Sequence, residues 1–166
     1  MRGESNRLNN FAISSEGLGE ALTRSAANNT FEESAALVTA MNSTVQDPQK
    51  VGTTLKTVSM YLRAAKVEAQ EAGIETEGMA NSVSKLREDV MALTNGKVDI
   101  MIDDSTFKST YQIMDEISQV WDEMTDVDQA ALLEMIGGKR NSDAVMSLIK
   151  NFDVAREAYQ DALGSE

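Results

Sequence analysis

The stretch DPQKVGTTLKTVSMYLRAAKVEAQEAG, Asp47 to Gly73, decides the fold class. Asp47-Pro48 is a helix start signal, with Asp as N-cap and Pro at the first helical position, where its missing N–H costs nothing. Val51, Leu55, Val58, Leu62, Ala65, Ala69 and Ala72 then follow at spacings of 4, 3, 4, 3, 4, 3. That is a heptad seam that narrows into alanine, and it predicts one helix over residues 49–72 whose C-terminal half admits a close partner. Gly73 is its expected stop.

Outward from this segment the pattern stays helical. Toward the N-terminus, Thr30-Phe31-Glu32-Glu33 reads as a capping box before an apolar run to Met41. Ser15 to about Asn28 predicts a further helix, and residues 5–11 a helical turn. Toward the C-terminus, residues 73–78 read as a loop, and Asn81 or Ser82 caps a helix with Val83, Leu86, Val90 and Leu93 on one stripe, ended by Asn95-Gly96. Val98 to Ile102 is the one extended segment, β-rich and without an obvious strand partner. Asp103 to Thr106 lead into a helix with Phe107, Tyr111, Met114, Ile117, Trp121 and Met124 on its apolar face. Asp126-Val127-Asp128-Gln129 resembles a second capping box, for a helix that runs to Ile136 and stops at Gly137-Gly138. Ser142 opens another, through Phe152, and a last amphipathic piece carries Val154, Ala158, Tyr159 and Ala162. The reading is all-α: amphipathic helices joined by short loops, with one short extended segment near residues 98–102. Its organisation is an N-terminal helical part, 1–80, and an acidic C-terminal helical part, 81–166, in one continuous region.

The 166 residues hold no cysteine and no histidine, and 15 basic against 27 acidic side chains give a net charge of −12. Disulfides, cysteine–histidine zinc sites, thiol nucleophiles and Ser-His-Asp catalysis are thereby excluded. Acidity argues against contact with nucleic-acid phosphates or an anionic membrane surface. No apolar run reaches the roughly 20 residues of a spanning helix, and the N-terminus carries no signal-peptide pattern. Asp99–Glu134 alone holds ten carboxylates against the single Lys108. On the predicted 107–124 helix, Asp115, Glu116, Asp122 and Glu123 fall opposite the apolar stripe, as a solvated face or a surface for a basic partner.

Candidate chemistry yields to structural readings. Asp103-Asp104 sits before a predicted helix, where capping explains a carboxylate pair better than acid–base work. Asp126-x-Asp128 begins like a calcium loop, but Ala131 replaces the required glycine. Gly137-Gly138-Lys139-Arg140 lacks the spacing of a phosphate loop and reads as a helix stop with an exposed basic turn. The ten methionines and Trp121 read as core filling. What remains is a helical interaction module with no catalytic, cofactor or metal residues. Its candidate contact surface is the seam Val51, Leu55, Val58, Leu62 and Ala65, the acidic face Asp115, Glu116, Asp122 and Glu123, and the basic turn Lys139 and Arg140.

Several strings carry a resemblance: FAISSEGLGEAL (Phe11–Leu22), TFEESAALVTAMN (Thr30–Asn42), VQDPQKVGTTLKTVSM (Val45–Met60), GMANSVSKLRE (Gly78–Glu88), GKVDIMIDDSTFKSTYQIM (Gly96–Met114) and VWDEMTDVDQAALLEMIGGKR (Val120–Arg140). In this order, from about Asn9 to Phe152, the chain resembles the core region of phage tail tape measure proteins of the siphophage and prophage type found in Gram-positive bacteria. The resemblance implies a non-catalytic, largely helical structural protein of the tail lumen, which sets tail length while tube subunits polymerise around it. Implied partners are further copies of itself, the tail-tube protein and tail-assembly chaperones, with residence in the host cytoplasm before assembly. Tape measure proteins are much longer, so the resemblance implies a core region and not the whole length-setting activity. A stand-alone helical binding module that re-uses this core, such as a regulator of tail assembly, is the alternative from another class.

Overall fold

The computed structural model describes residues 28–164, and these form eight α-helices, two 3-10 turns and one small hairpin. The helices are α1 (Phe31–Val45), α2 (Pro48–Tyr61), α3 (Lys66–Glu71) and α4 (Val83–Leu93), followed by β1 (Met101–Asp103) and β2 (Thr106–Phe107). Then come α5 (Thr110–Val120), α6 (Asp126–Gly137), α7 (Ser142–Lys150) and α8 (Phe152–Gly164). The fold is all-α with short connections, as the periodicity predicts. The expected helical segments at residues 5–11 and 15–28 lie outside the described residues.

Local chemistry sets most helix starts. Thr30 accepts from the Glu33 amide at 3.1 Å and the Glu33 carboxylate accepts from the Thr30 amide at 2.9 Å, which is the predicted capping box. Asp47 and Ser82 cap α2 and α4 by accepting from the Lys50 and Lys85 amides, without the reciprocal half of the box. At α6 the expected Asp126 box is replaced by Thr125, whose hydroxyl accepts from the Asp128 amide at 3.2 Å. Gly138, at φ +79°, lies just past its end.

The predicted 49–72 helix is broken. α2 ends at Tyr61, and Ala64 adopts a left-handed conformation at φ +52°. The Ala65 amide donates to the Met60 carbonyl at 3.0 Å and the Ala64 amide to the Tyr61 carbonyl at 3.1 Å, a Schellman stop with alanine where glycine is usual. The left-handed alanine costs about 1–2 kcal/mol. Bending the chain there offsets that cost, because it lets Met60, Tyr61, Ala69 and Met79 bury together in a satellite cluster that a straight helix would leave in solvent. The seam itself faces inward. Val51, Leu55, Val58 and Leu62 are at most 1 % exposed, while Ala65 is half-buried at the satellite cluster. These residues are core of the chain's own fold, and the expectation that they form a contact surface is corrected.

One main core spans both sides of residue 80. Leu37, Met41, Leu55, Leu62, Leu86, Ile100, Ile113, Met114, Ile117 and Phe152 are all fully buried in it. The most extensive helix pair is α1 with α8, elements more than 100 residues apart in sequence. Alanines at 36, 40, 155 and 162 are buried along these helices, and small side chains permit close helix approach.

The extended segment finds its partner next door. β1 pairs antiparallel with β2, Met101 opposite Phe107, around a turn at Asp104-Ser105. Asp103 makes the turn: its carboxylate accepts from the Ser105 amide at 2.8 Å and the Ser105 hydroxyl at 3.0 Å. Asp103 and Asp104 are therefore hairpin residues and not helix caps, and Phe107 belongs to β2 and not to a helix. α5 is capped instead by Ser109, which accepts from the Gln112 amide at 3.0 Å and donates to Glu33 at 2.8 Å.

Candidate functional site

The acidic stretch is met by cations from its own chain. Arg87 on α4 forks onto Asp99, Nε and Nη2 both at 2.8 Å, and its Nη1 reaches Asp104 at 3.0 Å. Lys108 pairs with Glu116 at 2.8 Å and Lys97 with Glu123 at 2.9 Å. Arg156 on α8 pairs with Asp115 at 2.7 Å, donates to the Ser118 hydroxyl at 2.8 Å and lies over the Phe152 ring. Three of these four bases come from outside residues 99–134, so charge that looks unbalanced along the sequence is partly offset in space. The Arg87 fork, and after it the Met101 amide, hold the Asp99 carboxyl below the usual carboxylate range, while Asp99 and then Asp104 raise the Arg87 guanidinium further.

The face predicted to be uniformly solvated is thus divided. Asp115 and Glu116 are partly buried ion-pair partners, whereas Asp122 and Glu123 are exposed on the 3-10 turn after α5. A patch for a basic partner would have to be read on Asp122, Asp126 and Asp128, beside the exposed Val127.

The basic turn borders a cleft. Between α2, residues 73–77 and residues 137–141 lies a space of about 410 Å³, lined by Thr53, Thr57, Tyr61, Glu75, Glu77, Lys139, Arg140 and their neighbours. The Tyr61 hydroxyl donates to the Glu75 carbonyl at 2.6 Å and is 3.2 Å from the Glu77 carbonyl, which ties the 73–78 loop to α2. Arg140 closes the rim by pairing with Glu75 at 2.9 Å. Its partner is this loop and not the 99–134 stretch. Lys139 is exposed on the same turn. One glycine is fixed in the wall, since a Cβ on Gly138 would lie 2.9 Å from the Tyr61 hydroxyl; at the end of the 73–78 loop a Cβ on Gly78 would lie 2.9 Å from the Glu134 side chain.

Burial first, and then the Glu75, Glu134 and Glu77 charges, push the Tyr61 phenol up, so it stays a donor and does not supply a base. Tyr111 is pushed up to about 12, chiefly by burial, with Asp115 adding and Arg156 opposing. Thr57 donates to the Thr53 carbonyl and Thr53 to the Gln49 carbonyl, both within their own helix. Among the described residues no group of three or more His, Cys, Asp or Glu is placed to hold a metal ion. No helix among them is long and apolar enough to cross a membrane. These contacts tie α2, the 73–78 loop and the end of α6 into one corner. Sequence reasoning found the Lys139-Arg140 turn but missed Tyr61 and Glu75. Neither carries a local signal, because both act through contacts more than ten residues away. No family model, curated protein or solved structure matches the chain.

Proposed function

We propose that this chain is a non-catalytic structural component of a phage or prophage tail, corresponding to the core region of a tape measure protein. The observation that carries the proposal is the series of six strings that resemble that core in the same order. The placement of the five strings that fall within the described residues supports reading these as one folded unit. TFEES holds the cap of α1, VQDPQKVGTTLKTVSM the α1–α2 corner and α2, GKVDIMIDDSTFKSTYQIM the hairpin and the start of α5, and the IGGKR end the cleft turn. These segments touch one another through Glu33–Ser109 and Ser59–Thr110. In this reading the chain acts in the tail lumen, after a stage in the host cytoplasm, and its partners are the tail-tube protein, tail-assembly chaperones and other copies of itself.

Co-expression tests the proposal. The chain is produced with the major tail protein and chaperones encoded beside it, and tube polymers are purified and imaged. Tubes that retain the chain, or that form faster with it, are the expected result. Tubes that form identically without it and never retain it would overturn the reading. A second reading, a stand-alone binding module built on the same core, draws on the inward-facing seam, since such a unit folds without a seam partner. A gene located away from any tail cluster would favour it.

A further inference from the structure

The end of α4 carries a chemistry that none of the contacts above uses. Asn95 and Gly96 are both exposed, and they form an asparaginyl-glycine pair. A glycine after asparagine leaves its amide nitrogen unhindered toward the preceding side-chain carbonyl, because no Cβ stands in the way. In the folded chain that nitrogen is engaged. The Gly96 amide donates to the Met91 carbonyl at 2.7 Å, with Asn95 left-handed at φ +57° as the helix stop. Thr94 locks the same corner. Its hydroxyl, almost wholly buried, donates to the Val90 carbonyl at 2.7 Å and accepts from the Val98 amide at 3.2 Å.

We propose that Asn95 is a site of spontaneous deamidation, held in check by this helix stop and released when the last turn of α4 opens. On opening, the Gly96 amide gives its proton to solvent base and its nitrogen bonds to Asn95 Cγ. The side-chain nitrogen leaves as ammonia, and a five-membered succinimide remains. Water opens the ring at either carbonyl, giving an aspartyl or an isoaspartyl linkage at position 95. The net reaction consumes one water and releases one ammonia, with no oxidant or metal. Other described asparagines are less exposed to this fate. Asn42, Asn81 and Asn141 are each followed by serine, and the Asn81 and Asn141 side chains are engaged with Lys66 and the Gly137 carbonyl.

The product is not neutral for the fold. A carboxylate at 95 stands at a helix C-terminus, where the partial charge is already negative. The isoaspartyl form adds a methylene to the main chain and spoils the spacing of the 91–96 hydrogen bond. Each modified copy therefore has a looser hinge between α4 and the hairpin, and the change does not reverse.

The experiment incubates the purified chain at mildly alkaline pH, folded and in concentrated urea, and follows the peptide containing residue 95 by mass spectrometry with isoaspartyl labelling. Modification should appear first at Asn95 in both states and run about tenfold or more slowly in the folded chain, at a rate set by the fraction of time the turn is open. Thr94→Val, which keeps the shape and removes the hydroxyl, should speed the folded reaction several-fold and leave the urea rate unchanged. Equal folded and urea rates would overturn the proposal, as would first modification at another asparagine. Should Thr94→Val lose its fold, the wild-type chain in sub-denaturing urea serves instead: Asn95 deamidation and Gly96 amide exchange must then accelerate together, and independent rates overturn the gating.

Discussion

Gly138 and Tyr61 leave each other no slack. Gly138 sits at φ +79° with the Tyr61 hydroxyl only 2.9 Å from where its Cβ would be. Gly138→Ala is expected to cost about 1–3 kcal/mol through strain and displacement of that hydroxyl. Tyr61→Phe alone should cost about 1 kcal/mol for the lost bond to the loop carbonyls. Because the phenylalanine also vacates the contested space, the double variant should be less destabilised than the sum of the two, as read from urea midpoints. Strict additivity would mean that the two positions do not meet as described. The seam makes a plainer case. Leu55 is fully buried, so Leu55→Ala should cost about 2–5 kcal/mol, and Leu55→Asp should abolish the cooperative thermal transition seen by circular dichroism. A folded, stable Leu55→Asp monomer would show that the seam faces outward.

Elements in this chain depend on a few cross-links, and the hairpin depends on Arg87. Removing the fork with Arg87→Ala should accelerate amide exchange across residues 101–107 while α5 and α6 keep their protection. The pH dependence has a definite sign. Asp99 holds its proton less tightly folded than unfolded, so its contribution to stability is complete above the ordinary carboxylate value of 3.8 and is lost as pH falls through the lower native value. The stability gap between wild type and Arg87→Ala should therefore narrow on acidification below that value, as measured by urea unfolding in a pH series. A gap that stays constant would mean that the pair is not formed in solution.

The same elements show how far the sequence could be read. Caps were legible because Thr30–Glu33, Asp47-Pro48 and Ser82 each do their work within four residues. The stop at Ala64 was not, since an alanine gives no local warning; its left-handed turn is imposed by burial of Tyr61 and Met79 on a later loop. The hairpin was half legible: Val98–Ile102 announced an extended segment, but a two-residue partner strand has no periodicity to detect. At the candidate site the Gly137–Arg140 turn was visible, while its partner Glu75 was placed only by the folded loop. The acidic excess of Asp99–Glu134 misled for the same reason, as its counter-charges at Arg87, Lys97 and Arg156 lie outside the stretch.

At the scale of the molecule, α1 and α8 close the fold on itself. Their pairing supplies the far wall of the core around Leu37, Met41 and Phe152. A chain cut after Asn151 should therefore lose cooperative unfolding altogether, in place of a modest loss of stability, in a thermal scan of helicity. A sharp transition in the truncated chain would show that α8 is an appendage. The closure also sets a timetable for biosynthesis. α1 leaves the ribosome long before α8 has been made, and at ordinary rates of about 5–20 residues per second the interval is roughly 5–25 seconds. Through that interval the apolar side of α1 has no permanent cover, so nascent chains crowded on one message are exposed to each other just when a holding chaperone would matter most.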